Sequence, residues 1–428
     1  MSTVTYNCPA CGAPLAYDAA SGSLKCASCG NSYELEALEA MNQEEQTGGV
    51  QFDLPKETFD ASETAQMQAY ICQGCGAELM TDDTTTATEC PYCGSPTILP
   101  DRIDGGVKPE MVIPFTVTKE QAQKQFEEYF QGKPLLPNIF KNTRNRISDM
   151  RKLYVPYWLF DCDASGNIVY DAEKRSTSRQ GDYEVTRTEH YIVRRAGSMS
   201  FENIPVDGSE KLDNKITESL EPYDLGAAVP FQPAVLAGAM ADHADVDAAA
   251  CEGRAMERVE HSMESELRNT VNGYSSVRER SKNISAEGGK VTPVLLPVWL
   301  ITTEKEGKTY TFAINGQTGK LTCDVPANTK KAFGIGAGVF AGVMGIASLV
   351  MYFMDKLESG TALIAAIVAL LAALGVVGAL LAQLKQAAEQ TSAANYVKKG
   401  SFNLRIRYDK YLYETTTRRK IETNNDKK

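Results

Sequence analysis

Residues 332–354 carry no charged side chain, nor do residues 359–384, and the polar connection Asp355-Lys356-Leu357-Glu358 joins the two stretches. About twenty apolar residues, rising 1.5 Å each, span a hydrocarbon core of roughly 30 Å, so the pattern predicts a transmembrane helical hairpin. Two buried helices of a soluble core are the competing reading, but soluble helices of this length keep a polar face. The mean hydropathy of the whole chain is −0.29, so the apolarity is local. Gly334, Gly338 and Gly342 recur every four residues in the first helix. That spacing would admit a close backbone neighbour, either the second helix or another protomer.

Upstream, the pattern shortens to strand-like runs. Leu153-Tyr154-Val155-Pro156-Tyr157-Trp158-Leu159-Phe160 resembles Val294-Leu295-Leu296-Pro297-Val298-Trp299-Leu300-Ile301, and each tryptophan lies two residues after a proline. Each run is followed by a polar turn and a second strand segment, Ile168-Val169-Tyr170 or Tyr310-Thr311-Phe312. The chain therefore contains two related β units. Proline within such a run points to a sheet edge or a bulge, and the apolar flanks make both tryptophans core anchors.

Helices separate the units. Thr118 and Gln121 form a capping box, with Ala122, Phe126 and Phe130 on one face behind it. Met256, Val259, Met263, Leu267 and Val271 mark a second amphipathic helix that ends before Asn272-Gly273. Its methionines read as core rather than as a partner-binding stripe. Asn315-Gly316 predicts a hairpin turn between strand segments 310–314 and 317–325. Strands and helices mixed in this order give an α+β body rather than a run of βαβ units.

The chemistry sits in the N-terminal hundred residues. Cys8, Cys11, Cys26 and Cys29 form a C-x2-C-x14-C-x2-C array, and Cys72, Cys75, Cys90 and Cys93 repeat it with the same spacing. Gly12, Gly30, Gly76 and Gly94 follow the four C-x2-C turns. Two thiolates on a tight turn reach one face of a metal ion, and a second turn completes a tetrahedron. A glycine there permits positive φ, which aims amide N–H groups at the sulfurs. A lone C-x2-C suits a redox dithiol and four thiolates also suit iron, but the duplicated set of four favours two structural Zn2+ ions. Four protein ligands leave no open position, so the metal holds a small fold together rather than performing catalysis.

The expected organisation is thus a zinc ribbon over 1–35, an acidic linker over 36–64 with Gln46-Thr47-Gly48-Gly49 at its centre, and a second ribbon over 65–100. The α+β body with its two related β units covers 109–326, the membrane helices cover 332–354 and 359–384, and a basic cytosolic tail covers 385–428.

Charge narrows the partners. Residues 1–110 hold four Lys or Arg against seventeen Asp or Glu, a balance of −13 that thiolate centres deepen. Phosphate backbones need the opposite sign, so protein partners fit the ribbons better than nucleic acid. The 44 residues from Lys385 carry eleven basic and five acidic side chains, a charge suited to anionic lipid headgroups. Lys330 and Lys331 precede the first span, and Lys385, Lys398, Lys399, Arg405 and Arg407 follow the second, while the turn has only Lys356. By the positive-inside rule both termini face the cytosol. The cysteine usage suits a reducing compartment, and the N-terminus lacks the pattern of a cleaved signal.

Signals for catalysis are weak. His190, His243 and His261 lie in separate segments, and Cys162, Cys251 and Cys323 read as packing thiols. Gly307-Lys308-Thr309 looks like the end of a phosphate loop, but Thr302 stands where its first glycine belongs, and Gly316-Gln317-Thr318-Gly319-Lys320 fails the spacing as well.

The two ribbons, Tyr154 through Asp161, Ile204-Pro205-Val206-Asp207-Gly208, Glu221-Pro222-Tyr223-Asp224, residues 293–300 and 312–320, and the paired membrane segments resemble a bacterial family. Its members are called TFIIB-type zinc-ribbon-containing proteins, sometimes primosomal helicase-like. The resemblance implies a membrane-anchored ribbon protein. The helicase label would require motor motifs that this sequence lacks. The expected function is a non-enzymatic adaptor or scaffold in the bacterial inner membrane. A membrane-tethered nucleic-acid-binding protein is the alternative, and an enzyme with an unrecognised site in the body is the third possibility.

Overall fold

A computed structural model describes residues 6–19, 21–41, 52–85, 87, 89–96, 98–101, 106–131, 133–136, 150–305, 308–323, 327–353, 359–384 and 387–421. The N-terminal module is a three-stranded antiparallel sheet, β1 (Leu15–Asp18), β2 (Ser23–Cys26) and β3 (Ser32–Tyr33), followed by α1 (Leu35–Met41). After α2 (Ala61–Thr64), the second module is built from β4 (Met67–Cys72), β5 (Glu78–Asp82) and β6 (Ile98–Asp101). The body continues with β7 (Met111–Val112), α3 (Lys119–Phe130), β8 (Arg151–Gln180), β9 (Tyr183–Asp207), α4 (Asn214–Ser219), β10 (Val229–Pro230) and β11 (Met240–Asp242). It ends with α5 (Ala248–Asn269), β12 (Ser276–Lys305), β13 (Lys308–Asn315) and β14 (Leu321–Cys323). Helices α6 (Thr329–Phe353) and α7 (Ser359–Ala382) follow, and β15 (Asn403–Lys420) returns to the sheet. The fold is α+β, dominated by one twelve-stranded sheet.

The internal repeat is a local twofold at the centre of that sheet. β8 and β12 are antiparallel neighbours, and Val155 faces Leu296, its own counterpart in the repeat. On its other side β8 pairs in parallel with β11 at Leu153 and Tyr154, then antiparallel with β9 from Tyr157. β12 does the same with β7 at Val294 and Leu295, then with β13 from Val298. Pro156 and Pro297 occupy the two points of exchange, where a missing N–H breaks no ladder. The strands are therefore central, not the edges their prolines suggest. Trp158 Nε1–H donates to the Val246 carbonyl and Trp299 Nε1–H to that of Val117, each at 2.9 Å. Those carbonyls immediately precede the helix caps Asp247 and Thr118. Both tryptophans are buried anchors, as the flanking residues predicted.

The polar turn expected after the first run does not exist. β8 passes straight through residues 161–167 with Cys162 and Ala164 buried. Asp161, Asp163, Ser165 and Asn167 alternate with small inward residues, a period-two strand that composition disguised. The small side chains make room for α5: a Cβ on Gly166 would lie 2.8 Å from Met263 Cγ and 3.0 Å from Leu267 Cδ1. α5 itself buries Cys251, Ala255, Val259, Met263 and Leu267, confirming the methionine stripe as core. The Thr118–Gln121 capping box is present, and Ala122 and Phe126 are buried, while the Phe130 side chain lies outside the described residues. The Asn315-Gly316 turn joins β13 to β14, with Asn315 Oδ1 accepting from the Gln317 and Thr318 amides.

Two expectations about extended segments need correction. The second half of the linker is bound to the body: Phe52 is buried with its ring edge-on to Phe160 at 5.1 Å, and Asp53 bridges to Lys290. Residues 46–49 lie outside the described residues. The tail is a sheet strand, with β15 pairing along β9 from Asn403–Ser198 to Lys420–Tyr183. Its apolar–polar alternation, ending in Thr-rich sequence, is a strand signal that the net charge masks.

The predicted hairpin is present as α6 and α7, two helices long and apolar enough to cross a membrane. Among the described residues of α6 none is buried, and Phe333, Ile346, Tyr352 and Phe353 are exposed. A Cβ added at Gly334, Gly338 or Gly342 would meet nothing within 4 Å, so these glycines do not face α7; one at Gly336 would lie 3.4 Å from Val377 Cγ2. At the base of the hairpin, Ala332, Ile335, Leu380 and Leu384 pack on the cluster of Phe126, Trp299 and Phe312.

Candidate metal centres

Each of the four C-x2-C turns is closed by the same backbone hydrogen bond. The amides of Gly12, Gly30, Gly76 and Gly94 donate to the carbonyls of Cys8, Cys26, Cys72 and Cys90 at 2.8–3.0 Å. All four glycines have φ between 69° and 75°, the left-handed region the sequence required. The turns bring the eight predicted residues into two sets, Cys8–Cys11–Cys26–Cys29 and Cys72–Cys75–Cys90–Cys93, whose sulfurs all lie within 4.8 Å of one another in each set.

The geometry fits a tetrahedral ion. Cross-turn Sγ–Sγ distances are 3.5 Å in the first set and 3.6 Å in the second. Zinc–sulfur bonds of about 2.3 Å at tetrahedral angles place sulfurs ~3.8 Å apart. A disulfide would need about 2.05 Å, and all eight cysteines are free. The electrostatics also call for a cation. Burial opposes ionisation of Cys8, but the Tyr33 hydroxyl and the amides of Ala10 and Cys11 outweigh it and bring the thiol down to about 6. For Cys72, burial is outweighed by the amides of Cys75 and Gly74, giving about 7. In the other direction, burial and the neighbouring Cys93 and Cys72 sulfurs hold Cys75 up at about 11, against the Ala77 amide and Cys90. Thiolates this crowded cannot all ionise alone; a dication resolves the conflict. Each set can hold one metal ion, so the chain can hold two.

The two centres are embedded differently. The first module rests on the long strands, where Leu24, Tyr33, Ala37 and Leu38 meet Val169, Ile192 and Leu412. The second is part of the main sheet, because β5 pairs with β11 and β11 with β8. Cys72, Cys90 and Tyr92 belong to the same buried cluster as Leu153, Val155 and Leu296. The hydroxyls of Tyr92 and Ser209 both donate to Asp242 Oδ2 at 2.5 Å.

Burial pushes Asp242 up to about 7, against those two hydrogen bonds. Between its ordinary value near 3.9 and about 7, the folded chain keeps a proton that the unfolded chain releases, so stability falls as pH rises through this window. Raising pH from 6 to 8 should remove on the order of 1 kcal/mol through this group. Denaturation of the metal-loaded protein in detergent should show that loss. Asp242→Asn should shrink it; an unchanged difference between the two pH values would exclude Asp242 as its source.

No protein-family model matches the chain. No solved structure matches it either. Over 359 residues, 83% of this chain and 99% of the relative, it is 34% identical to the uncharacterized protein YdjG of Bacillus subtilis strain 168. The chain belongs to the YdjG family.

In this YdjG-family chain the remaining titratable residues singled out in the sequence stay apart. His190 stacks on Tyr413 beside Glu173, His243 lies near Glu78, and His261 is exposed on α5. Cys162 and Cys251 are buried in the core cluster beneath α5, and Cys323 in the one beside α3. Sequence reasoning missed a buried charged cluster. Arg258 Nη2 donates to Glu221 Oε2 at 2.7 Å, and the Tyr396 hydroxyl donates to the same oxygen at 2.7 Å. The signal was available, since Arg258 lies on the α5 face that buries Cys251, Ala255 and Ser262, a core position holding a charge.

Proposed function

We propose that this chain is a non-enzymatic, membrane-anchored adaptor. Two zinc ions brace a cytosolic body, and a projecting β-arm makes the protein contacts. The observation that carries this reading is the arm. Residues 174–180 of β8 and 414–420 of β15 are exposed at every position, so both faces of these strands meet solvent. Strands of this kind gain nothing from a core, and residues 174–187 with 414–420 hold seven basic against three acidic side chains. An acidic protein surface complements them. Zinc is favoured as the metal by four-thiolate ligation. The lysine and arginine flanks of α6 and α7 favour the cell membrane with both termini cytosolic. Arg418, Arg419 and Lys420 belong to the arm tip, which favours a soluble partner over the lipid headgroups expected for a free tail.

The same basic tip is the specific feature in favour of the second reading, a membrane-tethered nucleic-acid-binding protein. The acidic ribbon region opposes it. Photocrosslinking from Thr177 in intact cells tests both, using the full chain and an Arg179→Glu/Arg418→Glu/Arg419→Glu variant. Protein adducts that fall at least tenfold in the variant are expected. Adducts that are nucleic acid and fade with salt would move the second reading to first, and adducts unchanged by the variant would remove the arm from either.

A further inference from the structure

The local twofold creates the same recess twice, between a tryptophan and the loop that leads from a short parallel strand into a capped helix. The copy beside Trp158 has a volume of about 340 Å³ and is walled by Leu54, Pro55 and Val107. The copy beside Trp299 is a cavity of about 510 Å³, within the range of small-molecule sites. The C-terminal end of a parallel strand is also where α/β sheets hold ligands.

What lines the second copy is not required by the framework. Lys152, Phe115 and Lys119 stand where the other repeat has Pro293, Ala244 and Ala248. The same strand and helix ends therefore form without a charge or ring at those positions. The Lys152 ammonium lies 5.2 Å from the centre of the Phe115 ring and 5.7 Å from that of Trp299. It makes no ion pair with a carboxylate among the described residues. Arg151, on the same wall, is paired with Glu89. The α3 N-terminus contributes little, since its capping box and the Glu120 carboxylate already occupy it. Lys152 is thus a cation held in place over aromatic faces and presented to a cavity whose other walls include Met150 and Ala239.

We propose that this cavity binds a small organic anion with a flat apolar part. Its carboxylate or phosphate meets Lys152, with Lys119 at the rim, and its ring lies against Phe115 and Met150. The floor of the site belongs to the cluster that seats Ile335, Leu380 and Leu384 of the membrane hairpin, so a bound ligand stiffens that seat.

The test uses the full zinc-loaded chain in nanodiscs and saturation-transfer NMR. Benzoate and adenosine monophosphate serve as anionic probes, with benzamide and adenosine as neutral counterparts. At least one anion should bind in the micromolar to low-millimolar range, and its neutral counterpart at least tenfold more weakly. Lys152→Ala should lose at least tenfold in affinity, and Lys152→Arg should keep most of it. Asp245→Ala, in the other recess, should change nothing. A tryptic pattern matching the wild type confirms that each variant is folded. Binding of neither anion at about 5 mM would overturn the proposal, as would equal binding of the neutral compounds or full affinity in a folded Lys152→Ala.

Discussion

Cys90→Ser should unfold much of the α+β body, whereas Cys11→Ser should loosen only one corner of it. Each change removes one of four ligands from a chemically equivalent site, and the difference lies in what each site supports. Structural zinc sites contribute apparent free energies of about 10–16 kcal/mol in isolated peptides, as large as the whole stability of a typical domain, about 5–15 kcal/mol. Cys72 and Cys90 share a buried cluster with Leu153, Val155, Leu296 and Met240, and β5 extends the main sheet through β11. Loss of the second ion therefore removes one wall of the central core. Cys11 is exposed, and its module touches the body through Val169, Ile192 and Leu412. Elemental analysis should show a loss of one metal ion from two in either variant. Hydrogen exchange should separate them: Cys90→Ser loses protection across β11 and residues 151–160, while Cys11→Ser loses it within 6–41 and the strand segment beneath. If β8 and β11 stay protected in Cys90→Ser, the second ribbon is an appendage and not a structural wall.

The contrast shows what a linear reading can reach. All eight cysteines were legible, because ligand spacing is local and the glycines announce their own φ. The pair of long apolar helices, the capped helices and the repeat around Trp158 and Trp299 were legible for the same reason. The embedding of the second ribbon was not, since the β5–β11 pairing joins residues such as Met80 and Ala241 that share no sequence signal. The prolines misled because a proline rule refers to pairing on both sides of a strand. At Pro156 and Pro297 the partner on one side changes, and sequence cannot show a change of partner. Composition misled as well: the polar, acidic sequence of 36–64 reads as a linker, although Phe52 inserts into the core, and the basic balance of the tail conceals β15.

Arg258→Ala should cost about 3–5 kcal/mol and release the strap that follows the apolar hairpin and runs over the body. The strap runs from Ala388 to Tyr396, between α7 and β15, and polar groups hold most of it. Ser219 exchanges hydrogen bonds with Ala388, Glu218 accepts from the Gln390 amide at 2.7 Å, and Ser262 accepts from the Ala393 amide at 2.7 Å. Tyr396 and Arg258 meet on Glu221 at its end. Arg258 and Glu221 are each only 3% exposed, so removing the guanidinium leaves a carboxylate buried without its counter-charge. Tyr396→Phe deletes one hydrogen bond to a charged acceptor and should cost about 1.5–3 kcal/mol. Replacing both charges with apolar side chains of similar size should be milder than Arg258→Ala, because no orphan charge remains. Limited proteolysis of the protein in nanodiscs can follow the strap directly. Cleavage between Ala388 and Tyr396 should be fast in Arg258→Ala, slower in Tyr396→Phe and slowest in the wild type. A strap equally protected in all three would mean that β15 alone holds it, through its ladder with β9. In the expected case the buried pair holds the strap between α7 and β15 to the body, and severing it frees the strap while Ala332, Ile335, Leu380 and Leu384 still seat the apolar hairpin on the core.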